Sequence, residues 1–364
     1  MTHPTAPPVT PDPAATPPPT PAPRARASAA ALPAPKPARA RSPRFRAVLL
    51  TSIATLTGAL IVASLLIGGY EITLVGIFTD PEMREMFLIS RVPRTLALVF
   101  SAVAMSVCGI IMQMITQNRF VEPTTVGSSQ WAGLGMLVVL LVAPQAPPMV
   151  KMIVAVVFAF FGTGLFLLVL RRIAVRSSII VPLVGIMMGA VVGAVITFLA
   201  GTFNLLQSMG AWSSGGFSSI VRGFYEPLWA VVIVAVAAFI LADRFTVAGL
   251  GKDVATNVGL NYGRITLIGV IMVAVATGIT SVVVGFIPFL GLVVPNIISM
   301  LLGDDLRRNL PWIAVTGVGF LLACDLIGRT VIAPMEIPAS VILGFVGAAV
   351  FLGLLVRQRR NVLG

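Results

Sequence analysis

Charged side chains are what this 364-residue chain has least of: Asp, Glu, Lys and Arg together make up 10%, where soluble domains carry about 25%. Histidine occurs once, as His3, and cysteine twice, as Cys108 and Cys324. One histidine near the N-terminus completes neither a His-based zinc site nor a Ser-His-Asp arrangement, which removes the usual residues of intramembrane proteolysis. No metal site, catalytic set or cofactor is expected. Carboxylates are nearly missing from the apolar runs, which disfavours a proton- or sodium-coupled secondary carrier, because such carriers place acids or histidines at mid-membrane. Gly249-Leu250-Gly251-Lys252-Asp253 is not a phosphate loop: Thr246 stands at the first glycine position, and Asp253 stands where Ser or Thr must reach magnesium. An energy source on another chain is therefore expected. Both cysteines lie in apolar runs and read as packing residues.

What the chain does have is apolar length: 57% apolar residues and a mean hydropathy of +1.00. The runs do not alternate as barrel strands do. They predict an all-α polytopic membrane protein with about ten transmembrane helices, near 47–69, 95–115, 124–142, 150–170, 179–200, 225–241, 264–283, 286–302, 311–328 and 338–356. Residues 1–46 read as a disordered, basic, Pro/Ala-rich tail, with no apolar core ahead of a cleavage site that would make it a signal peptide. Residues 47–358 form the membrane domain, and 359–364 a short cytoplasmic end.

The net charge of +12 invites a nucleic-acid reading, but its distribution argues for topology instead. With the N-terminus inside, twelve basic residues outside the tail fall on the inner face and six on the outer, the bias expected when both termini are cytoplasmic. Arg91, Arg94 and Arg329 then face outward. Arg91 and Arg94 flank Val92-Pro93 at the mouth of the apolar run Thr95–Ile115, and a guanidinium keeps its charge there. Asp325 lies four residues before Arg329, so one helical face can pair them. Gly185, Gly189 and Gly193 form a small-residue stripe that fits either close intramolecular packing or a smooth wall. In the longest inner loop, Asp243 to Gly263, Val254, Ala255 and Val258 share helical spacing and predict a short amphipathic helix ending at Gly259.

These residues, taken in order, resemble the permease subunits of ABC importers for iron-siderophore, haem and vitamin B12. The motifs are Arg91-Val-Pro-Arg94, Gly109-Ile-Ile-Met-Gln113, Gln117-Asn118 with Glu122-Pro123, Gly127, Gly251 to Gly259, Gly285-Phe286 with Gly291-Leu-Val-Val-Pro295, Asp325-Leu-Ile-Gly-Arg329 and Glu336-Ile-Pro338. The resemblance covers about 47 to 358 and implies the type II importer permease fold in the cell membrane. It implies that Arg91, Arg94 and Arg329 receive glutamates of a substrate-binding lipoprotein. Gly251, Lys252, Asp253, Ala255, Val258 and Gly259 would form the coupling helix that meets a separate ATPase. Gly185, Gly189, Gly193, Gly344 and Gly347 would line a pathway between two permease subunits. Departures stand at Asn296, Ser299, Arg119-Phe120-Val121, Ala339-Ser340 and Ala348-Ala349-Val350. The Pro295-Asn296 form is similar to ferric-siderophore permeases of the anguibactin and petrobactin type, which implies a ferric siderophore as substrate and a different permease as partner in a heterodimer. Haem and vitamin B12 stay open as substrates.

Overall fold

A computed structural model describes residues 43–68, 73–173, 179–333 and 335–363; the tail before Pro43 lies outside the described residues. Helix α1 spans Pro43–Leu66, so the last four residues assigned to the tail belong to a helix. Two short helices follow, α2 (Leu74–Thr79) and α3 (Pro81–Met86), then a turn of π-helix at Phe87–Arg91 that runs into α4 (Val92–Thr116). Next come α5 (Ser128–Val142), α6 (Pro148–Arg172), α7 (Ile180–Thr202), α8 (Leu206–Ser213), a 3-10 turn at Glu226–Trp229, and α9 (Ala230–Ile240). The chain continues as α10 (Ala242–Gly249), α11 (Lys252–Asn257), α12 (Tyr262–Val283), α13 (Leu290–Leu302), α14 (Leu306–Thr330) and α15 (Ala339–Leu363).

Among the described residues, six helical stretches are long and apolar enough to cross a membrane: α1, the path Pro81–Thr116, α6, α7, α12 and α14. A seventh is the pair Glu226–Ile240 and Ala242–Gly249, bent by 64°. Three shorter apolar helices, α5, α13 and the start of α15, complete the set, and all ten fall on the predicted apolar runs. Two runs were drawn too simply. Arg91 and Arg94 do not cap the second span but lie within a 36-residue helical path. The inner loop predicted from Asp243 begins instead as helix α10.

Proline chemistry shapes the helices around the site. Pro93 has no N–H, so the carbonyl four residues earlier, Ile89, loses its helical donor. The backbone N–H of Arg222 donates to that carbonyl at 3.0 Å, and the local winding relaxes to a π turn in which Val92 N–H bonds Phe87 O. Pro295 inside α13 frees Gly291 O in the same way, and Gln113 Nε2 of α4 donates to it at 3.2 Å. Each lost bond is replaced by one from a distant segment, so a local defect becomes a tertiary tie.

Helix α4 is the central element, buried along almost its whole length, whereas α1 is almost bare. It meets α13 backbone to backbone: a Cβ at Gly109 would collide with the Gly291 carbonyl, and one at Gly291 would sit 2.6 Å from Met105 O. The turn after α4 is built to hold the start of α13. Asn118 Oδ1 accepts from Phe120 N at 2.9 Å, and Asn296 Nδ2 donates to Arg119 O at 2.7 Å. The fully buried Glu122 carboxylate accepts from Phe289 N at 2.7 Å, supplying an acceptor at the α13 N-terminus. Cys108 and Cys324 are free and buried in the core. Gly109→Ala should therefore destabilise the bundle by about 1–3 kcal/mol, measured as a lower melting temperature in detergent. The same change at Gly164, where nothing lies within 4 Å, should leave it unchanged.

Candidate functional site

The end of α1, the start of α4 and the end of α14 meet at one end of the bundle, and there Arg91, Arg94 and Arg329 come together. Asp325 lies between the last two: Arg94 Nη2 donates to its Oδ1 at 2.9 Å, and Arg329 Nη2 pairs with its Oδ2 across one helical turn. Arg329 also donates to Ile67 O at 2.8 Å and Ser64 Oγ at 2.8 Å, and Ser64 Oγ is 3.1 Å from Thr95 Oγ1. Arg91 Nη1 donates to the same Ile67 carbonyl at 3.0 Å. Arg94 Nη1 reaches Glu336, at 3.1 Å from Oε1 and 3.0 Å from Oε2, and Ser218 Oγ donates to Glu336 Oε2 at 2.5 Å. Two of the three guanidiniums thus share one buried carboxylate, and a second carboxylate closes the cluster from outside.

The expected pair of Asp325 and Arg329 is present, but the expected exposure of the arginines is not: Arg91, Arg94 and Arg329 are 7%, 8% and 6% accessible. The physical reason is the longer helix, which carries Arg91 and Arg94 inside the packed α1–α4–α14 junction rather than at its rim. Sequence reading missed Ser64 and Ser218 and gave Glu336 no role beyond its place in a motif. Ser64 and Arg329 are separated by 265 positions, and no local pattern joins such residues. Burial alone would raise the Glu336 carboxyl, but the Ser218 hydrogen bond and the Arg94 guanidinium hold it below its ordinary value of 4.5.

At the far end of α4 lies the second candidate face. Gly251 has φ +115°, α11 follows at once, and Gly259 closes it at φ +81°, conformations that glycine adopts without steric penalty. Ala255 is fully buried, so it anchors α11, and Tyr262 OH donates to Ile115 O at 3.2 Å beside it. Val254 and Val258 are exposed at four-residue spacing on α11 and its C-cap. Lys252 and Asp253 are exposed on the same short helix. Leu250, exposed just before the break at Gly251, was left out of the predicted set. The two faces sit at opposite ends of a 25-residue helix, about 37 Å long at 1.5 Å per residue.

The glycine stripe divides. A Cβ at Gly185 would collide with Thr125 O, one at Gly189 would meet Gly127 Cα at 3.4 Å, and one at Gly347 would meet Phe289 Cβ at 2.5 Å. Gly185 and Gly347 serve packing within the chain, because the turn before Gly127 and the entry to α13 press on them, whereas at Gly189 a Cβ would make only ordinary contact. Gly193 and Gly344 have nothing within 4 Å and lie on helices whose apolar side chains Met187, Val191, Val341 and Phe345 are exposed.

A bundle of apolar helices with a buried ion cluster at one end and a short exposed helix at the other is the build of a polytopic membrane permease. Residues 56–357 match the FecCD transport family, and the chain belongs to it. It is 50% identical over 299 residues to the petrobactin import system permease protein FatD of Bacillus anthracis, covering 82% of this chain and 88% of that one. Identity to the ferric-anguibactin transport system permease protein FatD of Vibrio anguillarum is 37%, over 74% of this chain and 85% of the relative. A solved inward-facing ABC transporter of the metal-chelate type shares the fold, with a TM-score of 0.72 and 21% identity over 86% of this chain and 99% of that one.

Removing the shared acid should be severe. Asp325→Ala leaves two buried guanidiniums without their carboxylate and should cost about 3–5 kcal/mol. The exposed pair Arg307–Asp243 should cost at most about 1 kcal/mol when broken by Arg307→Ala; thermal unfolding in detergent compares the two. For Glu336, whose folded value is lowered, the stabilisation is present above the unfolded value and lost as pH falls through the folded one. The stability gap between wild type and Glu336→Gln should stay flat from about pH 8 to about pH 5 and shrink only at lower pH.

Proposed function

We propose that this chain is the membrane-spanning permease subunit of an ATP-driven importer that passes ferric-siderophore complexes from a binding lipoprotein to the cytoplasm. The observation that carries the reading is the 50% identity to a petrobactin import permease across 82% of the chain. The chain itself performs no covalent chemistry: it supplies a path and two docking faces. The Arg91–Arg94–Arg329 cluster is the outer face, where carboxylates of the binding protein dock. Its steering should weaken with salt, since the Debye length falls to about 8 Å at physiological ionic strength.

The exposed Leu250, Val254 and Val258 are the inner face, seated on the ATPase, with Gly251 and Gly259 setting the ends of the helix and Lys252 and Asp253 at its rim. Exposed apolar residues on a short helix suit a groove on a partner protein. The open sides of α7 and α15, with Gly193 and Gly344, face the pathway and a second permease subunit, a different chain that completes a heterodimer.

The decisive experiment is uptake of labelled ferric petrobactin by a strain lacking this gene, restored by the gene in trans. Normal uptake of every iron chelate in the deletion strain, with haem uptake lost, overturns the substrate. Val254→Asp and Val258→Asp should each abolish co-purification of the ATPase while the permease remains inserted. Arg91→Gln should lower capture of the loaded binding protein at least about tenfold, roughly 1.4 kcal/mol, with the permease still folded and inserted.

A further inference from the structure

Arg94 holds two carboxylates of very different standing. Asp325 is 2% accessible, belongs to the body of α14 and also carries Arg329, so it cannot leave without orphaning a second buried charge. Glu336 sits on the connection between α14 and α15, its side chain is 30% accessible, and its other partner is the Ser218 hydroxyl at 2.5 Å. Its carboxylate can return to water at small cost.

We propose that Glu336 is an internal occupant of the docking site, held on Arg94 in place of the carboxylate that a binding protein presents, and that docking exchanges one for the other. The proposal rests on the outer-face reading above and adds to it the residue that must yield. It accounts for an Arg94 that is charged yet buried in the free chain: the side facing Glu336 is filled from within.

The exchange has a mechanical result. Glu336 cross-links three segments: α4 through Arg94, the segment between α8 and α9 through Ser218, and the connection into α15 on which it stands. That connection is otherwise tied back by Ile337 N to Gly328 O at 3.0 Å. Displacing Glu336 therefore removes the carboxylate link between Ser218 and Arg94, while the Asp325 pairs and the Arg222 N to Ile89 O bond stay intact. Arrival of the partner thereby frees the Glu336 connection from Arg94 and Ser218.

The test is capture of the loaded binding protein by the complete permease–ATPase complex in nanodiscs. Glu336→Gln keeps the side-chain shape and removes the competing charge; it should tighten capture at least about threefold. Ser218→Ala keeps every charge and loosens only the hold on Glu336; it should act in the same direction and more weakly. Spin labels at Ser219 and Met335 should separate when the binding protein is added to wild type, and should already be apart in Glu336→Gln alone. Unchanged or weakened capture by both variants, or a spin-label distance indifferent to the binding protein, overturns the exchange. Capture indifferent to both salt and Arg91→Gln overturns instead the outer-face reading on which it rests.

Discussion

A single carboxylate, Asp325, sets the terms for one end of this protein. An arginine buried among apolar helices is costly unless its charge and its donors are met. Asp325 meets two of them at once, one from its own helix and one from α4. Around that shared acid the end of α1 supplies carbonyls and a hydroxyl, which fixes the end of a helix that packs on α14 along one side and is otherwise largely uncovered. The apolar packing is non-directional and would tolerate small rotations of α14 or α4. The ion cluster would not, so it sets the register in which the helices pack.

A second constraint acts along the helices. In an apolar medium every carbonyl released by a proline must find a donor, and both Pro93 and Pro295 release carbonyls that distant residues take up. The prolines therefore specify contacts as well as bends. Gly109 and Gly291 allow the closest of these approaches, and the Glu122 carboxylate steadies the helix start that results. The core of α4, α13 and the turn between α4 and α5 behaves as one rigid piece, and the open faces of α7 and α15 lie away from it.

Most of the helix inventory was legible in the sequence, because an apolar run of span length has few alternatives. The junctions were less so. Helix α10 was hidden by its polar composition, and the π turn at Phe87–Arg91 follows from Pro93 only once the helix is known to continue through it. Among site residues, the pairing of Asp325 with Arg329 is local and readable at four-residue spacing. The bonds from Arg94 to Asp325 and Glu336 span 231 and 242 positions and leave no periodic trace. The short helix between Gly251 and Gly259 was recognisable from its two glycines, whereas Ala255 and Val254, neighbours in sequence, differ in burial. The stripe Gly185, Gly189 and Gly193 could not be divided by pattern, since packing and an open wall ask for the same small residue.

The separation between Arg94 and Asp325 has a consequence for biogenesis. Synthesis is vectorial, so α4 leaves the ribosome with its two arginines long before the acid of α14 exists, while Gln113, Asn118 and Glu122 are already made when α13 emerges. The cradle for α13 precedes its occupant, but the arginines must wait for theirs. Helix α4 therefore spends the synthesis of α5 to α13 with its charged end held at the aqueous boundary. It can settle to its final depth only when α14 arrives, which makes the last stages of synthesis the moment at which this bundle locks.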